Sequence, residues 1–126
     1  MKKVLIVEDE IISGMLINKY LEKYFQTKLI HNSTECKIVC LEECYDFVIL
    51  DINLGNDSID GAILLEQLKQ LPNCNKTIFI AITAYAMPGD KERFLTKGFD
   101  FYFSKPLVFK DLVDTLESIN KDDSLR

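Results

Sequence analysis

Four times along this chain an unbroken apolar run stops at a residue that can do chemistry. Val4-Leu5-Ile6-Val7 leads into Glu8-Asp9, and Phe47-Val48-Ile49-Leu50 into Asp51. Ile78-Phe79-Ile80-Ala81-Ile82 leads into Thr83, and Phe101-Tyr102-Phe103-Ser104 into Lys105. Runs of this length without alternation suit strands buried on both faces, as in a parallel sheet. Parallel strands share one carboxyl edge, where ligand sites of open α/β sheets lie. The pattern therefore predicts three acids, a hydroxyl and an amine converging on one spot.

Strand-like and helix-like segments alternate five times. Strands are expected near residues 3–8, 28–31 (the weakest), 46–51, 77–82 and 100–104. A helix over 10–25 would turn Ile17, Leu21 and Phe25 inward, with Met15 nearby. Asn32 or Ser33 caps a second helix carrying Ile38, Cys40, Leu41 and Cys44. A third spans about Gly61 to Leu71 and ends at Pro72-Asn73; Pro88-Gly89 opens a fourth that Gly98 closes. The last, over 109–120, turns Leu112, Val113, Leu116 and Ile119 inward. Such alternation gives an α/β fold with right-handed crossovers. The expectation is a flavodoxin-like (βα)5 domain: a five-stranded parallel sheet in order 2-1-3-4-5, with helices on both faces.

The 126 residues suit one domain, expected over 1–121, with 122–126 a polar tail or the start of a linker. A net charge of −5 and no basic patch argue against direct nucleic-acid binding. The first apolar run is too short for a signal peptide or a membrane span, so a cytoplasmic protein with no membrane partner is expected. Cys36, Cys40 and Cys44 fall on one helical stripe, but no histidine or carboxylate pattern completes a metal site, so they read as core thiols. Cys74 stands alone in a polar turn, and His31, the single histidine, reads as structural rather than as a phosphohistidine.

Two carboxylates about 5 Å apart repel by roughly 3 kcal/mol at an effective dielectric near 20. A hard dication among three of them removes the conflict, and Mg²⁺ fits because it takes one or two carboxylates plus waters and phosphate oxygens. Asp9 and Asp51 are the candidate direct ligands. Glu8 would act through a water, and the backbone carbonyl of Asn53 could complete the set. A carboxylate can also accept a phosphoryl group as an acyl phosphate. Asp51 is then the candidate nucleophile, Lys105 its charge partner and Thr83 a hydroxyl donor to the phosphoryl oxygens.

Five segments carry a resemblance. They are Val4-Leu5-Ile6-Val7-Glu8-Asp9-Glu10, Asp46 to Leu54, Asp60-Gly61, Ile82-Thr83-Ala84-Tyr85 and Gly98 to Pro106. In this order the chain resembles a receiver domain of a two-component response regulator, similar to the chemotaxis regulators, from about Lys2 to Ile119. The resemblance implies that Asp51 is phosphorylated by a sensor histidine kinase or phosphotransfer protein, and that Glu8 and Asp9 are the acidic pair for Mg²⁺. It implies that Thr83 meets the phosphoryl group, that Lys105 is the family's lysine and that Tyr102 swings inward as the hydroxyl moves. The bond before Pro106 would be cis. The read-out face would be the helix after Thr83, strand five and the last helix. Such a switch catalyses only its own phosphorylation and dephosphorylation, and acts on an output partner as a monomer or weak homodimer.

The loop between Asp51 and Asp60 is about two residues longer than the common family pattern, with Gly55 in place of a proline and an acid at Asp57. It resembles the loops of receivers found with sensor kinases, and would alter partner docking or acyl-phosphate lifetime. Tyr85 would shield the site from water. No output domain follows, so either a stand-alone receiver or a piece of a longer regulator or hybrid kinase is expected, Met1 favouring an N-terminal position. Two rival families fit the residues less well. Asp51-Ile52-Asn53 is similar to the nucleophile motif of haloacid-dehalogenase-type phosphatases, but that motif needs an acid where Asn53 sits. A flavodoxin would need a Gly/Ser/Thr-rich loop where Glu8-Asp9-Glu10 stands.

Overall fold

In a computed structural model, which describes residues 1–52, 61–84 and 87–122, five strands alternate with five helices. They are β1 (Lys3–Val7), α1 (Ile11–Leu21), β2 (Gln26–Ile30), α2 (Ser33–Glu42), β3 (Phe47–Asp51) and α3 (Gly61–Lys69). After a 3-10 turn at Pro72–Cys74 come β4 (Ile78–Thr83), α4 (Asp90–Thr96), β5 (Phe101–Ser104) and α5 (Phe109–Asp122). The strands are all parallel, in order β2-β1-β3-β4-β5, which is the flavodoxin-like order expected.

The unbroken apolar runs are explained by two cores, one on each face. Side chains alternate across a strand, so Leu5, Val48, Leu50 and Phe79 meet Cys36, Cys40, Leu65 and Leu68 on one face. Val4, Ile6, Ile49 and Ile80 meet Ile17, Leu21, Leu112 and Leu116 on the other. Among the described residues no helix is long and apolar enough to cross a membrane.

Several expectations need correction. α1 stops at Leu21, because the amides of Tyr24 and Phe25 both turn back to the Leu21 carbonyl. Phe25 is therefore not on the helix; it is buried just before β2 and packs edge-on against Phe47 at 5.8 Å. β2 begins two residues earlier than expected, because an edge strand with alternating exposure shows little apolar signal. Met15, Ile38 and Leu41 are exposed; α2 buries Cys36 and Cys40, as expected of the thiol stripe, together with Val39. Cys44 lies beyond the end of α2 and is exposed, whereas Cys74 is buried against the same core. All four are free thiols. Asn32 is the cap of α2, its Oδ1 accepting from the Glu35 amide at 2.8 Å.

Candidate functional site

Strand register assembles the site. Val7 lies opposite Leu50, so Glu8 and Asp51, each one step further, emerge side by side. Asp51 pairs with Ile82, and Thr83 with Ser104, which brings Thr83 and Lys105 to the same edge. The Ile52 amide donates to the Ile82 carbonyl at 2.9 Å and the Lys105 amide to the Thr83 carbonyl at 2.8 Å, carrying the ladder one residue past each strand. The Lys105-Pro106 peptide is cis, as the resemblance implied.

The charged groups form a bridged triad. Lys105 Nζ donates to Glu8 Oε2 at 3.0 Å and to Asp51 Oδ2 at 3.1 Å. The Glu8 and Asp51 side chains are 0% and 2% exposed, and the lysine 16%. Asp9 is exposed beside them, yet Glu8, Asp9 and Asp51 each offer a carboxylate oxygen within 4.8 Å of the others. Three carboxylates against one ammonium leave an excess of negative charge. An all-oxygen donor set with that excess fits a hard dication such as Mg²⁺.

The pKa shifts report the same crowding. Burial, with the hydrogen bond and charge of Asp51, pushes the Glu8 carboxyl up to about 7 in spite of Lys105. Burial works against the Lys105 ammonium, but the hydrogen bond to Glu8 and the charge of Asp51 outweigh it and hold its pKa above the usual lysine value. The lysine is thus a fixed cation at neutral pH.

Thr83 is buried at the end of β4. Tyr102 is half-buried, its ring stacked on Phe94 at 6.0 Å and 16°. Its hydroxyl is buried and has no hydrogen-bond partner among the described residues, and that burial raises its pKa. The expectations for Asn53, Gly55, Asp57, Asp60, Tyr85 and the last four tail residues lie outside the described residues. The residue whose connection the sequence reading missed is His31. Its Nδ1 is 3.0 Å from the Glu8 carbonyl oxygen. The register shows how it arrives there: Ile30 pairs with Val7, so the second strand also delivers its next residue to this edge.

Comparison with known proteins agrees with this geometry. Residues 4–117 match the family model described as "Response regulator receiver domain". The chain is 30% identical over 118 residues to the polar-differentiation response regulator DivK of Brucella anthropi, covering 93% of this chain and 94% of that one. A CheY-like receiver domain from Methylobacillus flagellatus superposes with a TM-score of 0.82 at 29% identity, covering 94% of this chain and 98% of that one. The receiver domain of a sensor histidine kinase from Pseudomonas aeruginosa, solved with magnesium in its active-site cleft, gives 0.80 at 24% identity over 93% and 95%. Nothing in these comparisons supports the phosphatase reading.

Proposed function

Because the chain belongs to the response regulator receiver domain family of two-component signalling, we propose that Asp51 accepts a phosphoryl group and that the resulting acyl phosphate switches the domain between two states. The observation that carries this is the lysine bridge. A buried carboxylate is held at the open end of the sheet by an ammonium 3.1 Å away, with two further acids beside it.

The chemistry follows from the residues. An Asp51 carboxylate oxygen attacks phosphorus as the bond to the donor's leaving atom breaks, and the leaving atom keeps the electron pair. Lys105, already directed at Asp51, transfers its attraction to the incoming phosphoryl oxygens, where charge accumulates. Thr83 supplies a hydroxyl to another of those oxygens. Asp9 and Asp51 would hold Mg²⁺ directly, with Glu8 through a water and the Asn53 carbonyl as a further ligand. When bound, the ion supplies positive charge to the phosphoryl oxygens. Movement of Thr83 toward the group frees space near Tyr102, whose ring lies against Phe94 of α4. The read-out surface is α4, β5 and α5.

Intact mass after incubation with Mg²⁺ and acetyl phosphate tests the assignment. A single phosphoryl adduct is expected on wild type, lost in EDTA and absent from Asp51→Asn. An adduct that persists in Asp51→Asn would rule out this acceptor.

The physiological donor is a histidine kinase or phosphotransfer protein, and α1 supports the face it uses. Ile11, Ile12, Met15 and Leu16 are between 54% and 69% exposed, a contiguous apolar stripe of the kind that marks partner contacts. Ile12 and Leu16 also line a groove of about 290 Å³ whose other walls include Leu107, Phe109 and Lys105. Phe109 is fixed by stacking on Tyr20 at 5.1 Å. Because Lys105 belongs to both groove and acid triad, a protein seated there reaches Asp51. Leu16→Arg is expected to cut transfer from a phosphorylated histidine kinase about tenfold, the effect of losing roughly 1.4 kcal/mol of contact. Labelling by acetyl phosphate should stay at the wild-type rate; equal rates from the kinase would dismiss this face.

A further inference from the structure

We propose that His31 is a positioning residue for the acid pair Glu8-Asp9, holding the peptide between them so that Asp9 meets Glu8 and Asp51 around a divalent cation. The inference rests on the reading of these three acids as a cation site. β2 ends at Ile30, paired with Val7 at the end of β1. The Glu8 amide donates to the Ile30 carbonyl at 3.1 Å. His31, the next residue of the same strand end, places Nδ1 3.0 Å from the Glu8 carbonyl oxygen. A carbonyl can only accept, so Nδ1 carries the proton. Glu8 is thus gripped at both backbone polar groups by Ile30, the last residue of β2, and by His31, which follows it.

The peptide plane carries that grip to the metal acid. The Glu8 carbonyl and the Asp9 amide belong to one rigid unit, so fixing the oxygen fixes the direction in which the chain leaves toward the Asp9 Cα. The Glu8 side chain has its own anchors, Lys105 at 3.0 Å and the Glu10 amide at 3.2 Å. Asp9 is exposed on a turn of three residues between β1 and α1. Three like charges within 4.8 Å push such a turn open. A backbone tether on its solvent side opposes that opening before the cation arrives. His31 itself is exposed, so water can replace its hydrogen bond on removal. The loss then falls on the geometry of the acids rather than on folding.

The experiment is a Mg²⁺ titration of the full chain followed by ¹H–¹⁵N chemical shifts, on wild type, His31→Ala and His31→Asn. His31→Ala is expected to bind Mg²⁺ about tenfold more weakly, the low end of what groups that orient a metal ligand contribute. His31→Asn keeps an N–H donor of similar reach and is expected to recover most of the affinity. Wild-type affinity in His31→Ala, or no recovery in His31→Asn, overturns the positioning role while leaving the cation site intact. A wild type that binds no Mg²⁺ overturns the cation site and the positioning role with it.

Discussion

Lys105→Met is expected to slow acetyl phosphate labelling of Asp51 about 10²–10³-fold, the usual effect of removing one preorganised charge from a transition state. It is also expected to change stability in a way that depends on pH and on metal. In the wild type the ammonium sits about 3 Å from both buried carboxylates. Without it Glu8 and Asp51 face each other with a repulsion of about 3 kcal/mol at an effective dielectric near 20. Glu8 can escape by keeping a proton, since its pKa already stands at about 7. A carboxyl whose folded pKa exceeds its unfolded value binds more protons in the folded state, so stability falls as pH rises from the unfolded pKa to the folded one. In wild type that fall passes its midpoint for Glu8 near pH 7 and levels off above it, once Glu8 has lost its proton. Lys105 lowers the Glu8 pKa, so in Lys105→Met the fall continues to higher pH.

The gap between the two proteins should therefore be small near pH 6 and reach about 2 kcal/mol above pH 8 in EDTA. Added Mg²⁺ should close most of it, because a dication can take over the neutralisation, and should bind the variant more tightly than wild type. Urea denaturation at the two pH values, with and without Mg²⁺, measures all four quantities. A gap independent of pH and of Mg²⁺ would mean that Lys105 acts by packing rather than by charge.

The same residues show why the site was legible in the sequence and parts of the frame were not. Central strands β1, β3 and β4 are covered on both faces, so their sequences are nearly pure apolar runs whose ends can be read to within one residue. Glu8, Asp51 and Thr83 were found by that rule; Lys105 follows β5, an edge strand whose run Phe101-Tyr102-Phe103 is still wholly aromatic. β2 lies at the sheet edge with one side open, and its run Gln26-Thr27-Lys28-Leu29-Ile30 carries no such signature. With so weak a signal its register against β1 could not be read, and His31 was not matched to Glu8. Helix faces were legible only in part. In α1, Ile17 and Leu21 face the core as expected. α2 carries apolar residues on more than one side: Cys36 and Cys40 are core thiols as expected, Val39 joins them, and Ile38 and Leu41 are exposed. Cys74 became part of that core only because the 3-10 turn folds back: Asn73 Nδ2 donates to the Cys40 carbonyl at 3.1 Å. That contact spans 33 residues and leaves no local pattern.

Gly61 shows a constraint of a third kind, one of space, and Gly61→Ala is expected to cost about 2 kcal/mol. On helix propensity alone the change should help, by up to roughly 1 kcal/mol. Packing decides otherwise. A Cβ on Gly61 would press into the Ile52 side chain, lying 2.9 Å from its Cβ and closer still to Cγ2, and 3.4 Å from its Cα. These atoms are at or beside the backbone and cannot swing away as a flexible chain end would. Ile52 cannot retreat easily, because it is buried and its amide is held by the Ile82 carbonyl at 2.9 Å. Overpacking of this sort costs typically 1–3 kcal/mol beyond any gain. Whatever shift relieves it passes through Ile52 to Asp51, the preceding residue, so slower acetyl phosphate labelling should accompany the lost stability. Gly89→Ala provides the contrast: φ is +85° there and nothing lies within 4 Å of the added carbon. Only backbone strain of about 1 kcal/mol is expected, with labelling unaffected. If Gly61→Ala proved no more harmful than Gly89→Ala on either measure, close approach of α3 to the end of β3 would not be what this position requires. If both effects appear together at Gly61 alone, the glycine sets how near the third helix can begin to the strand end that carries Asp51.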